Sequence, residues 1–216
     1  MSEIITTYKL DDLDQPISMD RDEFYDGQIE LFKKTGKNTH AAAIVDVFLF
    51  TPDRQIILQK RSNQKKHNPS LTDKAIGGHI KWGDTANYTV TVETLEELNV
   101  SSIVLDSEED FKKTYKLLKN HLHNSAIVQF IDSRTTNFSK LFDEGFVDIS
   151  KKYYFYMGVY NGSIRPVDKE AEGIMFIEYD KLEQKMRENP EMYSEDLKFY
   201  LKKYNKKITE FLSYLA

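Results

Sequence analysis

The segment from Ala41 to Arg61 constrains the fold more than any other part of the chain. Two β-rich runs, Ala43 to Phe50 and Gln55 to Gln59, flank Thr51-Pro52-Asp53-Arg54. Proline pre-sets one turn dihedral and aspartate can bond its own backbone, so this spacing predicts a β-hairpin. Ala41 to Phe50 is also the strongest candidate for a membrane segment, yet it carries Asp46 and falls short of the roughly 20 apolar residues a span requires. No membrane association is expected.

Around that hairpin the punctuation is regular. Ile4 to Asp20 reads as turn-like about Asp12-Leu13-Asp14-Gln15-Pro16. Arg21 to Lys34 reads as a helix with Phe24, Ile29, Leu31 and Phe32 available for one face, closed by Gly36. Glu108 to Asn120 reads as a helix, and Ser125 to Asp132, Lys152 to Tyr160 and Ile174 to Tyr179 read as strands. Asp180 to Glu188 and Ser194 to Leu215 close the chain as helices separated by Asn189-Pro190. Mixed strands with helices before, between and after them imply an α/β sandwich. The 216 residues, with 13 tyrosines, 13 phenylalanines and one tryptophan, supply enough apolar material for one sizeable core. The expected organisation is a single domain over 1–216, with an N-terminal extension (about 1–38) and C-terminal helices (about 180–216).

Thr85 to Val100 is a contest between two periods. Tyr88, Val90 and Val92 alternate and much of the run is β-branched, which favours a strand. Against this, Asp84 or Thr85 can cap a helix, Tyr88, Val92, Leu95 and Leu98 fall on one helical face, and Asn99 suits a left-handed terminus. On a helix, Glu93, Glu96 and Glu97 at i, i+3 and i+4 share one face. Like charges so close repel unless neutralised, and hard divalent cations take such oxygen ligands. A bare Glu-x-x-Glu-Glu is nevertheless more often a solvated acidic face.

The context of the trio decides between these readings. Gly78-His79-Ile80-Lys81-Trp82-Gly83-Asp84, seven residues, and then Val92-Glu93-Thr94-Leu95-Glu96-Glu97-Leu98-Asn99-Val100 resemble the Nudix box. Gly78, Glu93, Glu96, Glu97 and Val100 match its pattern, and Asp84 for Glu and Asn99 for Gly are near matches. Val92 for Arg and Thr94 for an apolar residue depart from it. The resemblance runs roughly from Tyr8 to Leu201 and is closest to the branch similar to isopentenyl diphosphate isomerase. It passes through Asp12 to Pro16, His40, Leu58-Gln59-Lys60-Arg61-Ser62, Asp73, Phe176 to Leu182 and Asn189-Pro190-Glu191.

The resemblance implies a Nudix-type α/β/α sandwich with a mixed sheet, and a helix that selects helix over strand for the box. It implies a hydrolase cutting a phosphoanhydride bond in a nucleoside diphosphate derivative or related small molecule, with Mg2+ or Mn2+. Glu93 and Glu97 are the implied metal ligands, Glu96 a ligand or support, and Gly78 belongs to the same metal site. Arg61 and Lys60 are the candidate substrate-binding cations, with Lys74 adding positive potential at the same mouth; Lys65 and Lys66 would add to it, but they read more simply as a solvated loop. His40 and His79 fall where the isomerase carries metal-binding histidines, against the alternative of ordinary polar packing. Glu170 and Glu172, ahead of a late strand, are candidates for an extra carboxylate. The isomerase chemistry itself is not expected, because Ala75-Ile76-Gly77 holds no cysteine and the approximate counterpart of the later carboxylate is Lys152-Tyr153-Tyr154. Asp84 and Val92 replace two mutually supporting residues of the family, so a diverged, non-catalytic ligand-binding protein is the alternative.

Composition sets outer bounds. A formal charge of −5 argues against a general duplex-binding surface, which needs clustered cation. With no cysteine there is no disulfide, thiolate metal site or cysteine nucleophile. A cytoplasmic location is expected. The expected partner is a small-molecule diphosphate, and a homodimer stays open.

Overall fold

A computed structural model of the chain describes residues 3–142, 145–165 and 171–215. Among them ten strands join one mixed sheet, in the order β10-β4-β3-β9-β8-β7. β3 (His40–Phe50) is its axis, pairing parallel with β9 (Gly145–Val159) and antiparallel with β6 (Ile76–His79). The hairpin to β4 (Gln55–Arg61) forms as expected, with Leu49 opposite Ile57 and Phe50 opposite Ile56. Arg54 takes a left-handed φ of 63° in its turn. β10 (Ala171–Glu178) and β5 (Thr72–Lys74) flank β4, and β7 (Ser101–Leu105) runs parallel to β8 (Ser125–Phe142) at the far edge.

Side chains alternate across β3 and divide the interior in two. Ile44, Phe48 and Phe50 enter the larger core beside Phe111 of α3 (Glu108–Leu118), Leu182 of α4 (Tyr179–Glu188) and Tyr200 and Tyr204 of α5 (Glu195–Ser213). Ala43, Val45, Val47 and Leu49 point the other way, to Val90 and Leu98 of α2 (Ala86–Leu98). Helices on both faces of a mixed sheet make the expected α/β/α sandwich. No helix of the described residues is long and apolar enough to cross a membrane.

Two expectations need correction. The turn-like N-terminal segment is a hairpin, β1 (Ile4–Lys9) with β2 (Asp12–Asp20), and β1 joins β3 through Thr7, Tyr8 and Lys9. Asp20 then caps α1 (Arg21–Thr35), which ends at a left-handed Gly36 as its sequence implied. Second, Ser125 to Asp132 and Lys152 to Tyr160 are only the inner parts of two long strands, β8 and β9, paired from Ile127 with Val159 to Phe142 with Gly145. Long-range pairing extends them through polar sequence that carries no clear strand period.

Candidate active site

α2 presents the glutamate trio, and its ends form as the sequence implied. Thr85, not Asp84, caps it by accepting from the Tyr88 N–H, and Asn99 closes it at φ 55°. The inward face is not the expected one. Tyr88 and Leu95 are 55% and 53% exposed, while Val90, Thr94, Glu97 and Leu98 are buried. Sequence periodicity favours the apolar stripe, but the narrow space above β6 and β7 takes the smaller side chains. Thr94 fits there because its hydroxyl donates to the Val90 carbonyl at 2.6 Å, so its polar atom is satisfied within the helix.

Glu93, Glu96 and Glu97 line one cavity of about 510 Å³, with Gly78, His79 and Arg61. Its size lies within the range of small-molecule sites. A Cβ on Gly78 would overlap the Glu93 carboxylate, so the bare glycine lets α2 approach β6. Glu97 is buried and Glu96 exposed, which spreads the carboxylates from wall to mouth.

The opposite wall and floor are cationic. Arg61 donates through Nη2 to the His67 carbonyl at 3.2 Å and lies 3.7 Å from Asp73. Behind it, Lys74 Nζ lies 3.0 Å from Asp46 and 3.5 Å from Asp73, and Lys140 pairs with Asp196. Tyr200 donates to Asp46, and Ser194 donates to Asp73 at 2.8 Å. Burial raises Asp46, although Lys74 opposes the shift. Asp73 is held well below the usual carboxylate range, because Lys74 and Arg61 outweigh its burial. Burial pushes Lys140 down to about 8 and lowers Lys151 as well. Burial also pulls His79 well below an ordinary histidine and raises Tyr25 to about 12, so the hydrogen bond of 2.8 Å between His79 Nε2 and the Tyr25 hydroxyl joins two neutral groups.

The remaining candidates separate. Lys65, Lys66 and Lys74 line the cavity, whereas Lys60 does not. Lys60 neighbours Arg61 on β4, and successive strand residues point to opposite faces. His40 pairs with Lys9 at the start of β3, whereas His79 pairs with Ile44, four residues further along. The two histidines are therefore about 13 Å apart along the strand direction, and they do not form one ligand pair. Asp84 does not line the cavity. Neither does Glu172, which lies within β10 and accepts from the Asn63 backbone N–H at 3.0 Å, tying down the loop after β4. Glu170 lies outside the described residues.

Sequence reading missed Lys140, Lys151 and Asp196 altogether. Their one visible signal is charge inside otherwise strand-like or amphipathic sequence, as with Asp46 in its apolar run.

The donor chemistry of the glutamate wall fits a hard divalent ion. Magnesium is usually held by one or two carboxylates together with substrate phosphates, so it does not demand a finished protein cage. Among the described residues, no three of His, Asp or Glu are already gathered as a metal-binding group. The room over Gly78 leaves the Glu93 carboxylate facing the cavity beside Glu97.

Residues 40–199 match the family model described as the NUDIX domain. Among curated proteins none matches. Among solved structures, the chain is similar to a Deinococcus radiodurans protein at TM-score 0.54 and 17% identity, over 75% of this chain and 82% of that one. It is similar to the MutT protein of Methanosarcina mazei Go1 at TM-score 0.52 and 11% identity, over 77% and 94%. It is also similar to the NUDIX domain of Shewanella oneidensis NrtR, solved with ADP ribose, at TM-score 0.51 and 13% identity, over 88% and 99%. At these identities the structural likeness concerns the fold.

Proposed function

The chain belongs to the Nudix domain family, and from that premise we propose that this Nudix-type hydrolase cleaves a phosphoanhydride bond in a nucleoside diphosphate derivative or related small molecule, using Mg2+ or Mn2+. The observation that carries this reading is the meeting of Glu93, Glu96, Glu97 and Arg61 around one cavity, with Gly78 making room for Glu93. Glu93 and Glu97 would hold the ion, with Glu96 beside them, and the ion supplies charge neutralisation on the bridging phosphates and a lower pKa for an attacking water. Arg61 presents a planar fork to a phosphate oxygen. A carboxylate of the wall takes the proton from water as the bond to phosphorus forms.

The isomerase-like branch has a further argument against isomerase chemistry. The chain has no cysteine, and the cavity-facing residue of β9 is Lys151, an amine rather than a carboxylate. The second functional reading, a binding protein without turnover, rests on Asp84 and Val92, which depart from the family's pattern.

Hydrolysis of nucleotide sugars, dinucleotides, nucleoside triphosphates and prenyl diphosphates, each with magnesium or manganese, identifies the substrate. With the best of them, Glu97→Gln should lower turnover by about a hundredfold or more while the circular dichroism spectrum is kept. Full activity in the Gln variants of all three glutamates would overturn the assignment.

A further inference from the structure

We propose that Lys140 and Lys151 form a second anion-binding subsite on the cavity floor, taking a phosphate group other than the scissile diphosphate. The proposal rests on the reading of the glutamate wall as the hydrolytic site and deepens it. Both lysines are almost fully buried, at 2% and 4% exposure, and both line the cavity. They come from the outer halves of β8 and β9, where Lys140 lies opposite Val147 and Lys151 opposite Thr136.

The floor carries more cation than it can pair. Lys74, Lys140, Lys151 and Arg61 face Asp46, Asp73 and Asp196. Lys74 lies within 3.8 Å of all three carboxylates, and Lys140 pairs with Asp196. Among the described residues no carboxylate lies within ion-pair distance of Lys151, and Lys74 and Lys140 near it are like charges. His67 and His79, beside these lysines, are held neutral and add no charge. Burying a charge is costly unless it is paired, and breaking or omitting a partner leaves that cost exposed. A cluster that served only to pin α5 through Asp196 would not need Lys151. The same cavity holds a spare donor, since Arg61 Nε is buried without a hydrogen-bond partner among the described residues.

The two charge sets also line the same cavity. A Cβ on Gly77 would sit 2.8 Å from Lys74 Cε and 2.9 Å from Asp46 Oδ1, whereas one on the next residue, Gly78, would strike Glu93. Successive strand residues point to opposite faces, so the two sets flank β6, and the one cavity that both line is the route by which a phosphorylated diphosphate substrate would reach them together. Paired amines with a guanidinium edge suit a tetrahedral oxyanion with several acceptor oxygens.

The test is calorimetric titration of inorganic phosphate into the full chain in excess chelator, which removes any metal route. Wild type should bind phosphate, and Lys151→Met should weaken binding about tenfold or more. Lys151 pairs with no described carboxylate, so this variant should fold; Lys151→Gln replaces it if circular dichroism shows otherwise. Glu97→Gln should still bind phosphate, which separates this proposal from the fate of the hydrolytic assignment. No binding by wild type, unchanged affinity in Lys151→Met, or a loss confined to Lys65→Ala at the mouth would overturn it. Kinetics then identify the source of the anion. A rise in KM in Lys151→Met only for a diphosphate bearing a further phosphomonoester assigns the floor to substrate. Equal KM effects for substrates with and without that group, together with phosphate inhibition lost in the variant, assign it to free phosphate.

Discussion

Gly78 and Glu93 occupy one another's space: the carboxylate of Glu93 lies where a side chain at 78 would begin. The glycine is not there for backbone freedom, because the glycines with positive φ are Gly36, Gly83 and Gly145. It is there for close approach, which seats α2 against β6 and turns Glu93 into the cavity.

Gly78→Ala should therefore act on the site more than on the fold. The added methyl displaces Glu93 while the backbone at 78 stays ordinary, so hydrolysis should fall about tenfold to a hundredfold. Stability should change by no more than about 1 kcal/mol. Steady-state kinetics and urea unfolding on the same preparation check both halves, and undiminished turnover would mean that Glu93 can be moved without consequence.

Lys140 gives the pH dependence of stability a definite sign. Its folded pKa is pushed down by burial, chiefly opposed by Asp196, to about 8 from the ordinary 10.5. Between those values the unfolded chain binds a proton that the folded chain does not, so stability rises with pH through this window. The cost of the buried cation is fully present below pH 8. Raising pH from 8 to 10 should improve wild type relative to Lys140→Met by about 1 kcal/mol or more. Taking the difference cancels the tyrosines that titrate in the same range. Denaturant midpoints of both proteins at pH 8, 9 and 10 measure it; a flat difference would mean that Lys140 titrates as an ordinary surface amine.

The parts of this molecule that were legible in sequence are those specified locally. The hairpin at Thr51 to Arg54, the cap at Thr85, the left-handed Asn99 and the spacing of the three glutamates each depend on a few neighbouring residues. What escaped depends on register. Lys140 and Lys151 enter the site only because β8 and β9 pair far beyond their apolar halves, and no short-range pattern reports that pairing. The buried face of α2 was misread for a related reason. Tyr88 and Leu95 carry the most apolar surface, but the room over the sheet admits Val90, Thr94 and Leu98. Asp46 was visible as a lone charge in an apolar run, although its partners Lys74 and Tyr200 are brought to it by the fold.

Asn99 offers a test of the helix end apart from chemistry. At φ 55° and ψ 40° its N–H closes on the Leu95 carbonyl at 3.0 Å, and Val100 donates to the Thr94 carbonyl at 3.2 Å. Asn99→Gly should keep or raise stability by about 0.5 kcal/mol, because glycine takes this conformation without a Cβ penalty. Asn99→Ala should cost about 1 kcal/mol. Thermal unfolding of the three proteins decides, and an alanine variant as stable as the glycine one would remove the left-handed cap from the account.

The last expectation concerns the two departures from the family's box. Val92 is only partly buried, between the exposed Tyr88 and Leu95, so Val92→Arg puts a long cation where its head can reach water. Destabilisation by that change should stay within about 1 kcal/mol. An arginine there presents several N–H groups in a fixed fork, while Asp84 carries a carboxylate one methylene shorter than the family's glutamate. If the two positions once formed one support for the glutamate helix, Asp84→Glu and Val92→Arg together should raise magnesium affinity or turnover by more than their separate effects combined. A double-mutant cycle in magnesium-dependent diphosphate hydrolysis isolates that coupling. Strictly additive or purely harmful effects would show that the carboxylates are organised by the packing of Gly78 and Thr94 alone.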